Sequence, residues 1–416
     1  MASATVVKTI GTTGKFSTPQ LWEDGAPVDL TTSEKSAAGT FLVAAFAQGE
    51  SLTFVGSGAT GKLLDTDSTG AGTGTYVTYG ITAGNPAASD VVTGGTSGAT
   101  CVLTSGTADN VGVIWEGQCQ NQEFTSAGNG VVVSGSTSSA TAYKKLTTVA
   151  GASFRDNVNV QTNALRYNAS NGAGIRTTTT AFAVAGSFNE SYCQSLNLQF
   201  SCDLTDQKGH ASTGANERHE NLIIEGRFTV ADAAQGSARF TGSGTIAVNV
   251  LVVQRAASAS HIVGTGTGTP SFYNCTFVCP DDLASPTQVI FSGASGTVTV
   301  QNCGLFAGDS TKAIKSGSAT FNFTTSHSDI SGTTGVTQVT YSSQFENVNN
   351  ATRDYRLKTG AGMIDSGTTD ATNAGVDIAG TARPSGSSYD TGCWEKVQAG
   401  GADVRNHIIP AYYRAA

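Results

Sequence analysis

The sequence predicts an all-β protein: a right-handed, single-stranded parallel β-helix (a solenoid) with a short N-terminal capping helix and a small inserted β-domain. Three observations carry that expectation. Between Asn221 and Ser328, short runs that alternate apolar with polar residues (NLIIEGRF, VNVLVVQR, SFYNCTFV, VTVQNCGLF, FNFTTSHS) return about every 22 to 28 residues. They are rich in β-branched and aromatic residues and fit strands, and the Gly, Ser and Thr between them supply turns. No helical periodicity follows any run, which argues against an α/β sheet. A repeat of this length is one coil, which cannot bury its apolar face alone and must stack on its neighbours.

Composition is the third observation. Charged residues make up 13% of the 416 residues, about half the usual share. A chain so poor in charge, with 51 Gly, only 8 Pro and 8% aromatic residues, lacks the charge and proline of a disordered chain and reads as folded and turn-rich. The formal net charge of −8, without any Lys/Arg run, disfavours nucleic acid and anionic membrane as partners. The N-terminus has no apolar core of a secretory signal, and the longest apolar run, Phe41 to Ala47, is too short to span a bilayer. The expectation is a protein made in a cytoplasm, whose eight cysteines are buried, reduced thiols. Cys275 and Cys279 form a CxxxC without a second pair at zinc spacing, so no metal and no cofactor is expected.

Residues 1–32 read as an extended arm followed by a cap. Met1 to Thr9 show no core pattern; Ser17 or Thr18 can cap a short helix with Pro19 in its first turn, and Leu21 and Trp22 give it an apolar face suited to covering a solenoid end. Residues 33–113 read as a small β-domain with an internal repeat. The SGAT tetrads at Ser57 and Ser97 lie 40 residues apart, each between two β-runs, as in a hairpin. Residues 114–346 carry the coil rhythm, and eight or so coils make a rod of roughly 40 Å. Residues 347–416 break the rhythm and read as a closing segment and tail.

In that last segment Asp354-Tyr355-Arg356-Leu357, Ile364-Asp365-Ser366-Gly367, Asp377-Ile378-Ala379-Gly380, Arg383-Pro384 and Tyr389-Asp390-Thr391-Gly392-Cys393-Trp394-Glu395 follow one another. The series resembles the closing segment of right-handed parallel β-helix proteins of bacteria and their phages, with Cys393 where a small Ala is common. The opening IGTTGKFSTPQLWED is similar to the start of tailed-phage β-helix virion proteins. The resemblance covers about a fifth of the chain. It implies the fold, a place in a virion and a homotrimer, and it implies no particular chemistry, since solenoids serve as enzymes, adhesins and scaffolds.

For glycan hydrolysis two carboxylates about 5 to 9 Å apart are needed. The densest candidate is the stretch Asp203, Asp206, His210, Glu217, His219, Glu220, Glu225, in which Asp203 and Glu225 would align on adjacent coils with His219 as proton carrier; the alternative is a solvated loop between strands. Asp281 and Asp282 start a turn, and Asp365, Asp377 and Asp390 hold turns by side-chain to backbone hydrogen bonds. Assembly contacts are expected from Val6 and Val7 of the arm, Trp22 of the cap, and Ile408, Ile409, Tyr412 and Tyr413 of the tail, which either docks on a neighbouring subunit or folds over the solenoid's end. The leading expectation is a capsid decoration or cement protein on the outer capsid surface, with the major capsid protein as partner. The alternative is a tailspike or tail fibre that binds or cleaves a host glycan.

Overall fold

The computed structural model describes residues 4–398 apart from 27–29, 32–33, 48, 67, 75, 105–112, 157–161, 180–181, 205, 228–235, 256–260, 281–288, 309, 350–351 and 371–374. The chain is an all-β parallel β-helix. Among the described residues, the first sheet has nine strands, from Ala4–Ile10 through Val113–Cys119 and Lys144–Thr148 to Thr320–Thr324. The second has seven, from Val131–Val133 to Ala313–Gly317, and the third nine, from Glu123–Ser126 to Val336–Gln338. Each coil passes from the first sheet to the third, then to the second, and every pairing between coils is parallel. Alternating side chains point inward and stack in columns. Phe272, Phe277, Phe291 and Phe321, for example, touch with ring centroids 5.0–5.5 Å apart, close enough for offset or edge-to-face packing.

The corner between the first and third sheets is built by asparagine. Asn197, Asn221, Asn249, Asn274 and Asn302 all have φ between +52° and +62°, a left-handed bend that Asn tolerates through its short polar side chain. Their amides stack: Asn221 Nδ2 donates to Asn197 Oδ1 at 3.1 Å, Asn249 Nδ2 to Asn221 Oδ1 at 3.0 Å, and Asn302 Nδ2 to Asn274 Oδ1 at 3.2 Å. The ladder breaks between Asn249 and Asn274, where the buried Asn249 Oδ1 and Asn274 Nδ2 have no hydrogen-bond partner among the described residues.

The N-terminal residues correct the reading of an extended arm. Ala4–Ile10 is the first strand of the first sheet and pairs with Val113–Cys119, Val6 opposite Trp115. Val6 is buried and Val7 lies outside. The cap is helix α1, Pro19–Asp24, whose N-cap Thr18 accepts from Leu21 N. Its polar side chains meet the open edge of the second sheet: Gln20 Oε1 accepts from Val132 N at 2.8 Å, and Glu23 Oε1 from Ser134 N at 3.0 Å. Edge donors that would otherwise be stranded under the cap are so satisfied. Trp22 lies flat over Gly117, where a β-carbon would sit 2.6 Å from the indole.

Between the cap and the second strand of the first sheet lies a closed six-stranded barrel, strands Glu34–Val43 to Thr100–Leu103. The repeated tetrads are its clasp, and they work reciprocally. Asp90, in the second unit, accepts from the first tetrad's Ser57 N at 2.9 Å and from its hydroxyl. Glu50, in the first unit, accepts from Ser97 N at 2.9 Å and Ser97 Oγ at 2.7 Å. Burial alone would push both carboxyls up, but these hydrogen bonds, with one from Ala87 N to Asp90 and others from Thr96 N and Ala47 N to Glu50, outweigh it and hold both below the usual carboxylate range. Glu50→Gln or Asp90→Asn is expected to destabilise the barrel by about 1–3 kcal/mol, the cost of weakening buried hydrogen bonds to a charged acceptor. Hydrogen exchange of amides 51–103 would measure it. Unchanged protection there would show that the clasp is ornamental.

Among the described residues, the closing segment folds back along the flank, where Phe154, Ile223, Leu251, Val253, Val278 and Phe306 of the solenoid pack with Tyr341, Phe345, Tyr355, Met363, Ile378 and Trp394 in a second core. It also grips the asparagine corner. Thr368 N donates to Asn302 Oδ1 at 3.0 Å, and Asn302 Nδ2 and Asn249 Nδ2 donate to Thr368 O at 2.7 Å and Val376 O at 2.8 Å.

Candidate functional site

The three residues that would make a glycosidase do not meet. On the third sheet Phe200 pairs with Ile224, so Ser201 rather than Asp203 follows into line with Glu225. Both carboxylates are engaged by arginine. Asp203 takes the Arg176 guanidinium through Nε at 2.8 Å and Nη2 at 2.7 Å, and Glu225 takes Arg255 Nη1 at 2.6 Å. His219 is on the first sheet and points inward, opposite Ser195. It is fully buried. The stretch from Asp203 to Glu225 is also no solvated loop, since it holds the strands Lys208–Ser212 and Arg218–Glu220.

Inside the coil His219 bridges a serine and a carboxylate. Its Nδ1 is 2.7 Å from Ser195 Oγ and its Nε2 is 3.3 Å from Glu217 Oε2. Glu217 accepts further from Gly214 N at 3.0 Å and from the Ser212 hydroxyl. The order serine, histidine, carboxylate resembles a nucleophilic triad in connectivity, but Ser195, Glu217 and His219 are at most 1% exposed, so no substrate reaches the hydroxyl. The array satisfies buried polar groups in a coil interior.

His210 sits against it, 4.6 Å from His219 ring to ring, and stacks between Phe188 and Phe240 at 5.1 and 5.2 Å. Neither ring nitrogen has a hydrogen-bond partner among the described residues. Burial, and secondarily the neighbouring His219, holds this imidazole well below its ordinary value, so it is neutral. His210→Phe would continue the aromatic column without two stranded nitrogens. The expected result is a gain of about 1–2 kcal/mol. A group depressed on folding protonates first in the unfolded chain, so its contribution is intact above about pH 6.5 and declines as pH falls. The variant's advantage should therefore widen on acidification, read as urea midpoints at several pH values. A variant less stable than wild type would show that the column has no room for the larger ring.

Of the expected assembly contacts, Val6 and Trp22 are core residues, 5% and 0% exposed, while Val7 is 43% exposed. Burial of Trp22 follows from its role as plug, and that of Val6 from the inward face of the first strand. Ile408, Ile409, Tyr412 and Tyr413 lie outside the described residues, as do Asp281 and Asp282. Of the aspartates expected to hold turns, Asp377 does, its Oδ1 accepting from Ala379 N and Thr381 N, whereas Asp365 Oδ1 accepts from Ser388 N and Asp390 Oδ1 from Asp365 N and so tie segments 23 and 25 residues apart. All eight cysteines are buried and none is in a disulfide.

A polar strip on the third sheet's outer face was not foreseen as a unit. Arg176, 36% exposed at its side chain, lies between Asp203 and Glu123, and the Tyr167 hydroxyl donates to Glu123 at 2.6 Å. Its signal in the sequence was the outward position shared by Arg176 and Glu123 on adjacent coils, which only the register reveals. No family model matches the chain, and no curated protein or solved structure matches it.

Proposed function

We propose that the chain is a bacteriophage virion structural protein, a capsid decoration or cement protein that binds the major capsid protein on the outer shell as a homotrimer and stabilises it. The observation that carries this reading is that Asp203 and Glu225 are neutralised by arginine and His219 is sealed in the coil, so the best catalytic candidates are spent on holding the body together. The likeness of both chain ends to phage β-helix virion proteins supports the setting. The net charge of −8 is the wrong sign for nucleic acid or an anionic membrane, and no helix among the described residues is long and apolar enough to cross a bilayer. Contact is adhesive in this reading, and each bound subunit stabilises the shell by mass action. Gel densitometry of purified particles should give many copies per particle, and stripping the protein should lower their melting temperature. Unchanged thermal stability after stripping removes the reading.

One observation favours a tailspike or tail fibre as a second reading. The Glu123–Arg176–Asp203 strip with Tyr167 is partly exposed and offers donors and acceptors to sugar hydroxyls. Few copies at one vertex, with glycan binding lost in Arg176→Ala, would favour it over the cement role.

A further inference from the structure

Under the capping helix three charged side chains converge in the interior. Lys144 Nζ is 2.6 Å from Glu23 Oε1 and 3.0 Å from Glu190 Oε2, and it also donates to Ser134 O at 2.6 Å. Lys144, Glu23 and Glu190 are 1%, 8% and 5% exposed. One ammonium with two carboxylates leaves a buried net negative charge, which a low-dielectric site rejects unless one acid takes a proton. Glu190 is that acid: burial raises its carboxyl above the usual range despite Lys144, and its Oε1 has no hydrogen-bond partner among the described residues. The cluster thus holds an amine, a carboxyl group in contact with it, and a second carboxyl, raised by burial, touching the same nitrogen.

We propose that Lys144 and Glu23 condense into a side-chain amide, with Glu190 as the proton-transfer group, fastening the capping helix covalently to the first coils. The Lys144 ammonium gives one proton to the Glu23 carboxylate, and the neutral amine attacks the Glu23 carboxyl carbon, one bond beyond the oxygen it already touches. The Nζ–Cδ bond forms, Glu190 protonates a departing hydroxyl, the C–O bond breaks and water leaves. Glu190 recovers its proton from the nitrogen. Ammonium plus carboxylate becomes amide plus water, with no oxidation or reduction. Burial drives the exchange, since it replaces two costly buried ions by a neutral group and lets the water escape. Fixed proximity supplies an effective molarity far above any solution value. The two residues are 121 apart in sequence, so the bond would close a loop that contains the whole inserted barrel.

The inference does not depend on the virion reading. Its test is mass spectrometry of the full chain, folded and held at neutral pH, followed by proteolysis. The expected result is an intact mass lower by one water, and a branched peptide joining the Glu23 and Lys144 segments. Both should disappear in Lys144→Arg, which keeps the charge, and the branched peptide should fall at least tenfold in Glu190→Gln. An intact mass equal to that of the sequence, or a water loss that maps elsewhere in the digest, overturns the proposal even if the variants fold poorly. Undiminished linkage in Glu190→Gln overturns the role of Glu190.

Discussion

Trp22→Ala is expected to destabilise the solenoid by about 3–5 kcal/mol, the range for truncating a large aromatic at a site that cannot collapse. The indole is fully buried, its backbone carbonyl accepts from Trp115 Nε1 at 3.2 Å, and it fills the space above Gly117. That glycine is the complement of the plug, since any β-carbon there would strike the indole. The loss should propagate, because Gln20 and Glu23 satisfy the first edge of the second sheet only while the helix is seated. Urea unfolding gives the magnitude, and hydrogen exchange of Val132 and Ser134 should show those two amides losing protection first. A loss below about 1 kcal/mol would mean that the cap is held by its polar contacts rather than by the plug. If Lys144 and Glu23 are joined, the helix stays tethered, and Trp22→Ala combined with Lys144→Arg should lose more than the two separate effects.

Much of this architecture could be read from the residues. The coil rhythm was legible because each strand alternates inward Phe, Val and Ile with outward polar groups, and the helix because Thr18, Pro19 and Trp22 carry cap, first turn and plug within one short stretch. The first strand was missed although Thr5-Val6-Val7-Lys8-Thr9-Ile10 has strand chemistry, because its partner begins at Val113, beyond the inserted barrel. A lone run with a partner that distant carries no local sign of pairing. The asparagine corner stood in the sequence at 197, 221, 249, 274 and 302 and marks the coils more sharply than the apolar runs do. The alignment of Asp203 with Glu225 failed because corner lengths set the register, and a small slip in register changes which side chains meet across coils. Lys144, Glu23 and Glu190 carry no motif at all, and only folding brings them together.

Removing the closing segment's cation should be as damaging as removing the plug. Arg383 is buried, donates through Nη1 to Asp390 O and through Nη2 to Gly392 O, both at 2.8 Å, and lies 3.4 Å from Glu395 Oε2. Around it Asp377, Asp390 and Glu395 are at most 1% exposed. Arg383→Met keeps much of the volume but strands these carboxyls, at an expected cost of about 3–5 kcal/mol. The pH dependence follows from the same cluster. Burial pushes Asp390 up to about 6 and Glu395 to about 7, against the hydrogen bonds they accept and the pull of Arg383. An acid whose value rises on folding binds its proton more tightly in the folded chain. The stability it contributes is therefore complete below its unfolded value, near 4, and is lost as pH climbs through about 6 to 7. Amides 376–396 should exchange less readily at mildly acidic than at alkaline pH, once intrinsic exchange is corrected for. In Arg383→Met the carboxyls lose their counter-charge, their values rise further, and the loss of protection should extend to higher pH. Protection that instead rises with pH in the wild type would mean that these acids are ionised in the fold, with the backbone donors to Asp377, Asp390 and Glu395 outweighing burial.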